Sequence, residues 1–272
     1  MPARPPADVS AIRSALGRGS RWEVRTVEET GSTNQDVAHL AAEGAAEGLV
    51  LVAEHQTSGR GRFARVWEAP PGSSLAVSVL LRPSRPFQDW SWLPLLTGMA
   101  VARAVRQACT QSVADSARVQ LKWPNDVLVH GGPGAGKLCG ILSERHETAS
   151  GPVAVVGMGI NVDLAPHELP VPTATSLAAA GFDADKDALL VALLGELGGL
   201  YDAWQQRGHL REAYERDCGT LGQDVRVELT PTTSVTGVAR GIDAGGGLVV
   251  ETPSGTRTFV AGDVHHLRRN LD

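Results

Sequence analysis

Residues 48–67, GLVLVAEHQTSGRGRFARVW, join a compact apolar run to a cationic, glycine-spaced segment. The run 48–54 closes on Glu54 and has the length and composition of a buried strand. Directly after it come Arg60, Arg62 and Arg65, with Gly59 and Gly61 beside the first two. Glycine lets a backbone fold closely over a bound group, and guanidinium forks match carboxylate or phosphate oxygens in pairs. An anion is therefore expected at this loop. A solvated surface loop, or an RGG-like segment for single-stranded nucleic acid, is equally compatible with these residues alone.

Working outward, DVSAIRSAL reads as a short helix capped by Asp8 or Ser10, after a mobile Pro/Ala-rich start. TGSTN (30–34) is a polar turn, and NQDVAHLAAEGA places Val37, Leu40 and Ala41 at helical spacing. SLAVSVLLR (74–82) is a second strand and WLPLLTGMAVARAVRQAC (92–109) a long amphipathic helix. VQLKWPNDVLV (119–129) gives two short strands broken at Pro124, and GGPGAG (131–136) a flexible turn. KLCGILSER and VAVVGMGINV form a further strand pair, and 185–217 is mostly helical. After Cys218 come short β runs split by Gly, Pro and Thr, with GGG (245–247) as a hairpin turn. The expectation is an α+β fold with a mixed sheet over residues 1–217, and a small β-barrel over 218–272.

With 272 residues, 42% hydrophobic and 20% charged, the chain has ordinary globular composition. The net charge of −5 argues against a broad basic surface for duplex DNA. Cys109, Cys139 and Cys218 are far apart and form no CxxC pair, which disfavours a disulfide framework or zinc site and suits a reducing cytoplasm. The start MPARPPADVS has no apolar signal core and no run is long enough for a membrane helix. His265 and His266 are neighbours on a strand, so their side chains diverge and a metal pair is not expected.

Three further motifs stay open when taken singly. GPGAGK has glycines before Lys137, but Leu138 stands where a Walker loop needs a hydroxyl, so Lys137 is either a ligand lysine or a surface one. In KWPNDV, Asn125 and Asp126 serve recognition, ion binding or proton transfer, or make an ordinary Asx turn. GMGINV carries Asn161 at a strand end, where a turn is sufficient explanation.

Taken in order, GSTN, EHQTSGRGR with its following Trp, KWPND, GKLCGIL and GMGIN resemble the biotin protein ligase family, over about Thr30 to Asn161. The resemblance implies a class II synthetase-like mixed sheet with helices and an SH3-like C-terminal barrel. It implies adenylation of biotin by ATP to biotinyl-5′-AMP, then transfer to a lysine of a biotin carboxyl carrier protein of a biotin-dependent carboxylase. Matched block by block, it assigns Ser32, Thr33, Asn34 and Gln56 to the biotin head. Gly59, Arg60, Gly61 and Arg62 go to a closing loop, and Gly140 and Leu142 to the biotin walls. Arg62, Arg65, Trp67, Asn125 and Asn161 go to the nucleotide, and Lys137 bridges the biotin carboxylate and the α-phosphate. Arg60, Arg62, Lys137 and Asp126 are the expected catalytic set, with Asp126 as a Mg²⁺ ligand or as the group handling the acceptor amine.

The family loop commonly reads GRGRRGR, where Phe63 and Ala64 stand here, and Cys139 stands where Ala is commoner. About thirty residues precede GSTN, too few for the helix-turn-helix of some members, so no specific DNA binding is expected. A monomer or weak homodimer is expected. The alternatives are a lipoate or octanoate protein ligase, and a non-catalytic module for single-stranded nucleic acid.

Overall fold

The structure, a computed structural model, describes residues 4–109, 112–132, 134–230 and 232–267. Residues 1–3 of the Pro/Ala-rich start and Pro133 of the GGPGAG turn lie outside these. In chain order, α1 (Val9–Leu16), β1 (Glu23–Thr30), α2 (Thr33–Ala42) and β2 (Leu49–Gln56) come first. A hairpin, β3 (Gly59–Arg60) and β4 (Val66–Trp67), leads to β5 (Ser74–Leu81), α3 (Trp92–Cys109) and α4 (Val113–Arg118). Then follow β6 (Val119–Lys122), β7 (Asp126–Val129), β8 (Gly136–Thr148), β9 (Gly151–Asn161), α5 (Lys186–Arg207) and α6 (Arg211–Asp217). The chain closes with β10 (Asp224–Thr230), β11 (Thr233–Ile242), β12 (Leu248–Thr252), β13 (Gly255–Phe259) and β14 (Asp263–His266).

Seven strands form one sheet in the order β1-β2-β5-β9-β8-β7-β6, parallel between β1 and β2 and antiparallel elsewhere. This is the expected α+β fold with a mixed sheet. All eight residues of β5 are buried because both faces of the sheet are covered there. Side chains alternate between faces along a strand. On one face Val50, Val52, Val77, Val79, Val156 and Met158 join the large core shared with α3 and α5. On the other, Leu49, Leu51, Leu80, Val153 and Val155 pack under Val37 and Ala41 of α2. Helix α3 is buried around most of its circumference, more than one amphipathic stripe requires, since it is wedged between the sheet and α5.

The N-terminal segment is tied down from Arg4 onward, contrary to the expected mobility. The Arg4 guanidinium donates to Glu168 Oε2 and to the Asp163 carbonyl, each at 2.7 Å, and Ala7 N donates to Glu54 Oε1 at 2.7 Å. Asp8, one of the two expected caps, accepts from Ser10 N and Ala11 N at the start of α1.

The last five strands make an antiparallel sheet in the order β13-β12-β11-β10-β14, in keeping with an SH3-like unit. Indole donors from α3 and from the β6–β7 turn hold it: Trp92 Nε1 donates to the Ala244 carbonyl at 2.8 Å and Trp123 Nε1 to the Gly246 carbonyl at 2.9 Å. His266 lies in this junction, 3.0 Å from Thr220 Oγ1, and His265 points to Glu228, so the two rings diverge as expected. Burial, then the charges of Lys122 and His130, push His266 down to about 4. The unfolded chain binds that proton near pH 6.5, about the ordinary histidine value. Stability should therefore fall as pH drops from about 6.5 toward about 4, because the unfolded state alone gains a proton in that window. Thermal unfolding at pH 7 and pH 5 should show the drop, and His266→Asn should flatten it.

Candidate active site

The cavity opens where the cover of α2 ends. Under the body of α2 the sheet carries Leu80, Val153 and Val155; beyond its N-terminus the same face carries Ser78, Gly140, Gly157 and Gly159. Small residues in mid-strand leave a recess instead of a core. GMGIN is therefore not a turn: Gly157 and Gly159 are paired with Ser78 and Ala76 inside the sheet. A Cβ on Gly157 would lie 2.2 Å from Asn34 Oδ1, and one on Gly159 would lie 2.4 Å from the Trp67 ring.

The first residues of α2 form one wall. Ser32 holds the N-cap position, makes no side-chain capping bond and lines the cavity. Thr33 donates from N and Oγ1 to Gln56 Oε1 at 2.8 and 3.0 Å. Asn34 accepts from Ser78 Oγ at 2.6 Å and donates to Glu144 Oε2 at 2.8 Å and to the Leu142 carbonyl at 3.3 Å. These are buried, mutually satisfied polar groups, so the wall is rigid before any ligand arrives.

The arginine segment is a two-residue ribbon, Gly59 against Trp67 and Arg60 against Val66, closed by Gly61 N donating to Arg65 O at 2.7 Å. Its turn holds Phe63 (φ 55°) and Ala64 (φ 58°) in the left-handed region. Ala64 thus keeps a conformation suited to glycine. Such a residue costs on the order of 1 kcal/mol. Ala64→Gly should raise stability by up to about 1 kcal/mol in chemical denaturation, through relief of that strain.

All three arginines are held by protein groups. Arg60 pairs with Glu144 at 2.9 Å, Arg62 donates to Asn125 Oδ1 at 2.9 Å and to the Gly262 carbonyl at 3.3 Å, and Arg65 pairs with Asp263. Opposite them, a register shift between Val127 and Leu128 sets Lys137 on β8, with its ammonium 2.7 Å from Asp126 Oδ1. Such a bulge re-aims a side chain out of the strand's regular alternation. Lys122 approaches Asp126 from the other side at 3.7 Å.

Ser32, Thr33, Asn34, Gln56, Arg60, Gly61, Arg62, Arg65, Trp67, Asn125, Asp126, Lys137, Gly140 and Leu142 all line this one cavity. Gly59 lies just outside, in the hairpin, and Asn161 is buried elsewhere with Nδ2 donating to the Thr175 carbonyl at 2.8 Å. Asn161 lies outside the lining; its Oδ1 is buried and, among the described residues, has no hydrogen-bond partner. The space amounts to about 120 Å³, well below the roughly 300–1,000 Å³ of small-molecule sites. The Trp67 ring, resting on Gly140 and Gly159, takes up part of it. Trp67 Nε1 is buried and, among the described residues, has no hydrogen-bond partner. That unmet donor suits an acceptor on a ligand.

A resident magnesium ion does not fit Asp126. Two ammonium groups already face its carboxylate, whereas Mg²⁺ needs six oxygen donors around it. Among the described residues, the group of possible metal ligands is Glu228, Asp263 and His265, on the C-terminal sheet.

A sequence profile of the Biotin/lipoate A/B protein ligase family matches residues 27–163, and one of the Biotin protein ligase C terminal domain matches 220–267. The chain is 42% identical to the biotin–[acetyl-CoA-carboxylase] ligase of Mycobacterium tuberculosis over 271 residues, 97% of either chain. The chain belongs to the biotin/lipoate protein ligase family. It is 32% identical to the bifunctional ligase/repressor BirA of Bacillus subtilis, over 86% of this chain and 71% of the relative. Among solved structures it resembles biotin protein ligase from Aquifex aeolicus in complex with biotin and ATP. That match has a TM-score of 0.71 at 26% identity and covers 90% of this chain and 99% of the other.

In this ligase-family cavity the lining residues Gly157, Gly159 and Asp263 escape sequence reading, as do Glu144, which holds Asn34 and Arg60, and Ser78 behind the wall. Glu144 reads as one more surface charge in SERHET, and Asp263 lies 198 residues from the Arg65 it pairs with. A signal was present only for the glycines, whose alternate spacing in GMG fits one face of a strand.

Proposed function

We propose that this chain is an ATP-dependent biotin protein ligase. It joins the carboxylate of biotin to the α-phosphate of ATP, forming biotinyl-5′-AMP and releasing pyrophosphate. It then passes the biotinyl group to a lysine amine of a biotin carboxyl carrier protein, forming an amide and releasing AMP and a proton. The observation that carries this reading is the convergence of Lys137, Arg60, Arg62 and Arg65 on one recess with a glycine floor and a polar wall at the N-terminus of α2.

Each group has a physical task. Two anions must meet in the first step, and cations fixed beforehand lower the cost of bringing them together. Lys137 stands across the recess from the arginine hairpin, so the carboxylate and the α-phosphate are held between them. Asp126 positions the Lys137 ammonium and, once an anion draws Lys137 away, is free to accept a proton from the acceptor amine. Ser32, Thr33, Asn34 and Gln56 supply hydroxyl and amide groups for the ureido head. Trp67 supplies a flat apolar face and a spare N–H for the adenylate. Mg²⁺ enters with ATP as its counterion. Because the recess is small, the hairpin swings out for entry and returns to exclude water from the mixed anhydride.

We place residues 1–217 as the catalytic unit and 218–272 as the C-terminal unit, and assign the protein to the cytoplasm, in keeping with its three free cysteines. No described helix is long and apolar enough to cross a membrane. A monomer or weak homodimer, with no specific DNA contact, suits the acidic balance. Radiolabelled ATP incubated with biotin, then chased with a biotin carrier domain, tests the reading. Labelled biotinyl-AMP followed by biotinylated carrier is expected. Preference for lipoate over biotin would move the protein to the sister activity, and no adenylate from either would overturn ligase chemistry.

A further inference from the structure

We propose that Asp263, carried on the C-terminal sheet, is a positioning residue for the arginine hairpin, and that it sets how long the acyl-adenylate is retained; this rests on the ligase reading above. Two of the hairpin's three arginines end on consecutive residues, Gly262 and Asp263, where β14 of the second sheet begins. Arg65 pairs with the Asp263 carboxylate and Arg62 reaches the Gly262 carbonyl at 3.3 Å. Asp263 also lines the cavity itself.

One apolar contact and a few polar ties hold the hairpin down. Trp67, at its base, rests on Gly140 and Gly159, whereas Phe63 and Val66 toward the tip are 60% and 66% exposed. Its turn is strained at Phe63 and Ala64. The polar ties through Glu144, Asn125, Gly262 and Asp263 are its other moorings, and half of these come from the segment that enters β14. Beside Asp263, Glu228 and His265 pair with each other at 3.1 Å, which leaves the Asp263 carboxylate to Arg65. Burial alone would push that carboxyl up; the hydrogen bond and charge of Arg65 outweigh it and hold it below the ordinary range, so it is ionised at neutral pH.

The magnitude follows from exposure. Arg65 is 60% exposed and Asp263 19%, and ion pairs of that kind shift an equilibrium only a few-fold. The contact therefore biases the opening of the hairpin without locking it, as a lid that moves in every turnover requires. Loss of the carboxylate should let biotinyl-AMP escape about three- to fivefold faster.

The test uses the full chain as wild type, Asp263→Asn, Asp263→Glu, Arg65→Gln and the double variant Asp263→Asn/Arg65→Gln. Biotinyl-AMP is formed on the protein and its release is followed by dilution into unlabelled ligand. Limited trypsin digestion at the hairpin arginines is followed in parallel without ligand. Expected are faster release and faster cleavage in Asp263→Asn, recovery in Asp263→Glu, and a double variant no worse than Arg65→Gln alone. Wild-type release and cleavage in Asp263→Asn, or single effects that simply multiply, would overturn the proposal. Should Asp263→Asn fail to fold, Asp263→Ser, which likewise removes the carboxylate, carries the same expectation. If the wild type forms no biotinyl-AMP, the ligase reading fails, while the trypsin arm still decides whether Asp263 moors the hairpin.

Discussion

Lys137→Ala should slow formation of biotinyl-AMP by about 10²–10³-fold with the fold intact, the cost of removing one fixed charge aimed at a developing anion. The side chain is one-third exposed and its backbone is held independently, by Lys137 N on the Thr173 carbonyl at 2.7 Å and Thr175 N on the Lys137 carbonyl at 2.9 Å. Truncation therefore removes the ammonium and little else. It also strips Asp126 of its nearer partner, so an uncompensated carboxylate would face the incoming anions. Adding Asp126→Asn to Lys137→Ala should recover part of the loss, and Lys137→Arg should keep more activity than Lys137→Ala. Single-turnover assays with labelled ATP read the step directly; near-normal turnover in Lys137→Ala would remove this residue from the chemistry.

Gly157→Ala should weaken biotin binding by about 10- to 100-fold, since overpacking a rigid site costs about 1–3 kcal/mol. The added Cβ would meet Asn34 Oδ1 at 2.2 Å. Asn34 cannot yield cheaply, because it is buried and tied to Ser78, Leu142 and Glu144. The comparable change at Gly159 meets the Trp67 ring at 2.4 Å, but Trp67 belongs to the hairpin and can move with it, so a smaller loss is expected there. Calorimetric titration with biotin measures both. Equal affinity in Gly157→Ala and wild type would mean that the recess is not the biotin seat.

The central strands were legible because burial on both faces leaves an unbroken apolar run, as in SLAVSVLL. The edge strand Glu23–Thr30 went unassigned, since only Val24 of its eight residues is buried and EVRTVEET lacks a hydrophobic pattern. Motif order brought the cationic residues together correctly, for charge and glycine are local signals. What pairs with each charge was hidden, because Glu144 and Asp263 arrive from strands far along the chain. Glycines in GMGIN suggested a turn; only the sheet register reveals that their role is to be small. Asn161 followed the family motif; its Nδ2 is taken by the Thr175 carbonyl, while its Oδ1 has no partner among the described residues.

The hydrophobic cluster that begins with Ile12 and Val24 continues without a break into Val225, Val250 and Phe259. Cutting the polypeptide near Cys218 would bare greasy surface on both pieces. A break at the bend after His130 fares no better, for it would part β7 from β8 and divide the same cluster, so a split reporter made from this protein would have to shield bared apolar surface wherever it is cut.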